Sequence, residues 1–75
     1  MYSGDIVIHI DENLNDDGIH SLERELSDQQ GVFCACVPEK TRHLMVVDYD
    51  TSSVQPSQIL DLVRNRGLHA EMVGL

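Results

Sequence analysis

"GVFCACVPEKTRHLMVVDYD", residues 31–50, decides the fold. It contains two strand-like runs, "VFCACV" (32–37) and "HLMVVDYD" (43–50), joined by the polar turn "PEKTR" (38–42) that Pro38 begins. Two β-branched, apolar runs separated by a short polar turn read as a hairpin. Side chains alternate faces along a strand, so Met45, Val47 and Tyr49 share one face and Leu44, Val46 and Asp48 the other. Asp48 marks the second face as the wetter one. Gly31, just ahead of the hairpin, reads as the left-handed stop of a preceding helix.

That helix is "IHSLERELSDQQ" (19–30), in which Ile19, Leu22 and Leu26 make one apolar stripe. Asn15, Asp16 or Asp17 can cap it, and acidic residues suit the positive end of its dipole. Before it lie a polar loop, "DENLNDDG" (11–18), and a strand, "DIVIHI" (5–10), with Ile6, Ile8 and Ile10 on one face and Val7 and His9 on the other. After the hairpin, "TSSVQPSQ" leads to a second helix. Pro56 suits its first turn, Ile59, Leu60 and Val63 form its buried stripe, and Gly67 ends it. "LHAEMVGL" (68–75) alternates again, with Leu68, Ala70 and Met72 expected inward and His69, Glu71 and Val73 outward.

The order is β-α-β-β-α-β, a split βαβ pattern. The expected fold class is α+β: a ferredoxin-like βαββαβ sandwich, with a four-stranded antiparallel sheet and two helices on one face. Seventy-five residues make one domain, residues 1–75, with a small stability margin. Hydrophobic content of 41% and the absence of Trp call for an aliphatic core.

Composition narrows function. A net charge of −8 excludes binding to a phosphate backbone, which needs clustered Lys and Arg, so no nucleic acid is expected. No apolar stretch reaches membrane-spanning length, so no membrane insertion is expected. The N-terminus lacks a basic leader region, and its apolar run breaks at His9 and Asp11; a cytoplasmic location is the expectation. No nucleophile–base constellation, phosphate loop or zinc-hydrolase motif is visible, so the protein is read as non-enzymatic.

Landmarks along nearly the whole chain resemble the heavy-metal-associated domain of copper chaperones and of the N-terminal modules of P-type ATPases. They are a first helix ending near "GV", a hairpin whose second strand ends "VVDYD", a Pro-containing entry to the second helix, "VQPSQILDLV", and Gly67, Leu68 and Ala70 behind it. The resemblance implies metal binding or transport by two loop cysteines in Met-x-Cys-x-x-Cys, between the first strand and first helix. Aligning "LEREL" with the family's first-helix core puts those cysteines at Asn15 and Gly18, where this chain reads "NDDG". These positions offer oxygen, suited to hard ions, rather than the sulfur that soft ions prefer. "DENLNDDG" also departs from the EF-hand spacing, so the loop reads as a helix cap.

The chain's cysteines, Cys34 and Cys36, lie elsewhere. At i and i+2 on a strand they share a face, with Cα atoms ~6.6 Å apart. The resemblance places Ala35 and Val37 under the helices, with a slip or bulge near Val32, and so turns both thiols to the open face of a strand at the sheet edge. Three readings stand. The cysteines are small apolar residues in a homodimer or partner interface. Alternatively they hold a soft ion such as Cu(I) or Zn²⁺, with His43 or a second subunit's thiols completing the site. Or they are redox-active. Val7, His9, Leu44, Val46, His69 and Val73 are expected on the same open face, making it apolar enough to associate. His9 and His69, on strands expected to be neighbours, are a candidate pair.

Overall fold

The computed structural model describes residues 3–73. Its elements are β1 (Ser3–Ile10), α1 (Asp16–Ser27), β2 (Val32–Cys36), β3 (Leu44–Asp50), α2 (Pro56–Arg64) and β4 (Ala70–Met72). The strands form one sheet in the order β2-β3-β1-β4, and every neighbouring pair is antiparallel. This is the expected ferredoxin-like arrangement, with the cysteine strand at an edge.

The alternation in β1 and β3 decides which face is covered. Ile6, Ile8 and Ile10 stand opposite Val47, Met45 and His43 across the β1–β3 ladder. With Tyr49, Ala35 and Ala70 they meet Leu22 and Leu26 of α1 and Ile59, Leu60 and Val63 of α2 in one buried cluster. Both helices therefore cover the same face. Each Ile, Leu, Val or Met side chain buried there contributes roughly 1.5–3 kcal/mol.

Element ends depart from the sequence reading for local reasons. Helix α1 begins at Asp16 rather than Ile19, because Asn15 caps it and Asp16 to Gly18 enter the first turn. It ends at Ser27, where Asp28 donates its N–H to Arg24 and Leu26. Gly31 does adopt a positive φ of 91°, but after a further turn beyond the helix. In α2, Pro56 occupies the first turn, and the Gln55 N–H donates to Gln58 Oε1 at 2.8 Å while the Gln58 N–H donates back to the Gln55 carbonyl at 3.0 Å. Met72, expected inward, is 40% exposed. It faces the same way as its ladder partner Ile8, but it ends a three-residue strand at the edge of the sheet. Among the described residues no helix is long and apolar enough to cross a membrane.

Candidate functional site

Two places bear on function: the β1–α1 loop and the open face of the sheet. In the loop, Asn15 Oδ1 accepts a hydrogen bond from the Gly18 N–H at 2.7 Å, so its oxygen is used to satisfy a free donor of the first helical turn. Arg42, from the β2–β3 turn, donates to Asp16 Oδ1 at 2.9 Å and to the Leu14 carbonyl at 3.2 Å. Leu14 itself packs against the core. The position where the resemblance puts a metal is thus closed by a cap and a guanidinium. Asn15 is engaged, Gly18 has no side chain, and no sulfur is present, so these residues do not fit a soft ion.

The open face is arranged in rows set by register. One row is Cys34–Asp48–Asp5, the next Cys36–Val46–Val7, and the next Leu44–His9–Glu71. The N–H of Val73 donates to the Val7 carbonyl at 2.9 Å and extends the second row. Val7, Val46 and Leu44 are half-buried by their neighbours, and Val73 is 47% exposed. The register slips by one residue between Val32 and Cys34, as the resemblance implied. Phe33 is the extra residue of this bulge and is exposed. Beyond it, Ala35 is buried against the helices, and Cys34 and Cys36 are free and exposed on the other side. Partial burial, the neighbouring Cys34 and the charge of Glu23 push the Cys36 thiol up, so it stays protonated and weakly nucleophilic near neutral pH.

The histidines separate from the cysteines. His43 Nδ1 donates to the Ile10 carbonyl at 2.7 Å, and its ring stacks on His9 with centroids 5.9 Å apart. His9 therefore pairs with His43 rather than His69. His69 sits just before β4, where its Nδ1 meets Glu12 Oε2 at 2.6 Å and its N–H donates to Glu12 Oε1 at 2.8 Å. This contact holds the Glu12 carboxyl below its usual range and lifts the His69 imidazole above its own. Among the described residues no three His, Cys, Asp or Glu side chains come together to hold a metal ion.

The sequence reading missed the facing of Asp5 and Asp48. Both are on the open face by alternation, but only register makes them direct partners across β1 and β3. Like charges so placed oppose folding. Partial burial, then the Asp5 carboxyl beside it, raises the Asp48 carboxyl above its ordinary range. A raised acid disfavours its charged form in the fold, so this pair subtracts stability as pH rises through that range. Asp48→Asn is expected to raise the melting temperature near neutral pH. The gain should fade as pH falls through the carboxylate range, where Asp48 of the wild type takes up its proton. Equal melts at neutral pH would refute it.

The chain shares its fold with solved structures that align over nearly all of it. They include a copper-binding domain from HMA7, a P-type ATPase (TM-score 0.82, 23% identity, 93% of each chain covered). Another is oxidized MerP from Ralstonia metallidurans CH34 (TM-score 0.83, 12% identity, 96% of this chain and 99% of that one). A third is the CopZ metallochaperone (TM-score 0.77, 23% identity, 93% and 100% covered). No protein-family model and no curated protein matches the sequence.

Proposed function

We propose that this chain is a divergent heavy-metal-associated domain acting as a small, non-enzymatic binding module, and that it docks a partner protein through the open face of its sheet. The observation that carries this reading is the apolar row Cys36–Val46–Val7, flanked by Leu44 and Val73 and covered by no helix. Such a patch on a chain of net charge −8 favours association over mere solubility. The cytoplasm suits two exposed free thiols, because its reducing conditions keep them unpaired. Val46→Glu tests the reading. It places a charge at the centre of the row without touching the core, so it should abolish partner capture from cell extract and leave the fold intact. A charge reversal on the helix side, such as Asp17→Lys, should leave capture unchanged. Capture that survives Val46→Glu would sink the reading, and sedimentation of the same pair of proteins tests the homodimer.

A second reading has its own support: Cys34 and Cys36 are both free, exposed and on one face. Together with the likeness to a copper-binding domain and a metallochaperone, this favours a soft ion such as Cu(I) or Zn²⁺ held by thiolates away from the usual loop.

A further inference from the structure

We propose that Cys34 and Cys36 are half of a four-thiolate zinc site, completed by the same two residues of a second copy paired antiparallel along β2. The inference rests on the soft-ion reading above and specifies how that ion is held. It starts from the free edge of the sheet, since β2 is flanked by β3 on one side only. The phase of the ladder follows from two hydrogen bonds. The Asp50 N–H donates to the Gly31 carbonyl at 2.7 Å, so even-numbered residues of β3 turn their main-chain groups toward β2. Their partners Cys34 (opposite Asp48) and Cys36 (opposite Val46) therefore turn theirs toward β3. Ala35, between them, turns its N–H and carbonyl outward. The second bond agrees: the Val37 N–H points off the same edge, to Glu23 Oε2 at 2.8 Å.

"Cys-Ala-Cys" is symmetric about Ala35. A twofold axis through the edge at Ala35 pairs the two Ala35 residues by reciprocal hydrogen bonds. It also sets Cys34 opposite the partner's Cys36, and Cys36 opposite the partner's Cys34. These flanking pairs are of the wide, non-hydrogen-bonded kind, with Cα atoms ~4.5 Å apart and side chains closest. The axis is perpendicular to the sheet, so the open faces of both copies lie on the same side and all four thiols rise from it. Their Cα atoms mark a rectangle of roughly 6.6 by 4.5 Å, whose centre is ~4 Å from each corner. One ion above that centre is within reach of all four sulfurs at about 2.3 Å, the bond length of tetrahedral zinc thiolate sites. A single chain supplies two thiols and, among the described residues, no group of three His, Cys, Asp or Glu side chains that could hold the ion. The site is therefore incomplete without the second copy.

The edge does not pair strongly by itself. Glu23 claims the Val37 N–H, the bulge at Phe33 interrupts the other end, and two chains of net charge −8 repel. The ion supplies what these withhold. As Zn²⁺ enters, four thiols release four protons to solvent and four zinc–sulfur bonds form, with no change of oxidation state.

The test is a titration of the full-length reduced protein with Zn²⁺, and in parallel with Co²⁺ for its thiolate charge-transfer bands, followed by sedimentation and amide hydrogen exchange. Saturation is expected at half an equivalent of ion per chain, with monomer converting to dimer at that point. Exchange at the Ala35 amide should slow at least tenfold. Cys34→Ser and Cys36→Ser should each lower the affinity at least a hundredfold, with an unchanged melt in the absence of metal. A monomer binding one ion per chain would overturn the shared site while leaving soft-ion binding in place. A zinc-bound dimer whose Ala35 amide still exchanges freely would overturn the β2 pairing. Absence of binding, to Zn²⁺ and to Cu(I), would overturn both the site and the soft-ion reading.

Discussion

Gly31→Ala is expected to destabilise the domain by about 2–5 kcal/mol, from two separate penalties. Gly31 has a φ of 91°, a conformation that costs an L side chain roughly 1–2 kcal/mol. A Cβ placed there would also overlap Val54 Cγ2 and stand 3.3 Å from Ser53 Cβ. Val54 packs against the core, so it has little room to withdraw, and such crowding costs about 1–3 kcal/mol. Backbone retreat is blocked as well, because the Gly31 carbonyl accepts the Asp50 N–H at 2.7 Å and ties the turn to the end of β3. Gly67 provides the control. Its φ is 84°, but nothing lies within 4 Å of a Cβ built on it. Gly67→Ala should therefore show the conformational penalty alone, about 1–2 kcal/mol. Urea melts of both variants measure the difference, and equal losses would show that the contact with Val54 is not a constraint.

Ile8→Ala is expected to cost about 2–5 kcal/mol, a large part of the stability of so small a domain. Ile8 is fully buried and stands opposite Met45, itself fully buried, in the central ladder of the sheet. Removing three carbons there leaves a cavity between the sheet and the helices, and the two central strands, each paired on both sides, cannot close over it. Its chain neighbour Val7 points to the other face, where no helix covers it and it is only partly buried, and Val7→Ala should cost only about 0.5–1 kcal/mol. For a domain of this size each kcal/mol moves the melting temperature by roughly 4–8 °C, so thermal melts separate the two variants clearly. A small loss at Ile8 would mean that the core rests on the helices more than on β1. The same contrast makes Val46→Glu a usable probe of docking: it lies beside Val7 in the ladder and outside the core.

Much of the fold is legible without coordinates, because the deciding signals are local. Alternation in "DIVIHI" and "HLMVVDYD" sorts inward from outward side chains, and the stripes Ile19–Leu22–Leu26 and Ile59–Leu60–Val63 mark the helix faces that meet them. All twelve inward residues of these segments are buried. The misplacements occur where local pattern carries no information. Asn15 starts α1 earlier than its apolar stripe does, because a cap is chosen by its hydrogen bond to Gly18 and not by hydropathy. Met72 fits the alternation, yet it is exposed at the end of a short edge strand.

The candidate site divides in the same way. From the residues alone come the two thiols on one strand face and the apolar character of Val7, Leu44, Val46 and Val73, and the family resemblance adds the oxygen-only loop at Asn15 and Gly18. Partnership does not come from the residues alone, because it depends on register between segments far apart in sequence. Pairing across β1 and β3 sets Asp5 against Asp48, and the turn geometry stacks His43 on His9 and takes it from the cysteines. The Arg42 guanidinium reaches Asp16 across the fold, and Glu12 holds His69 at the far edge of the sheet. A strand's period of two is a property of its own backbone, so the sequence determines which face each side chain takes. Which side chains then meet on that face is decided by the ladder's hydrogen bonds and by the reach of the helices above it, and these exist only in the folded chain.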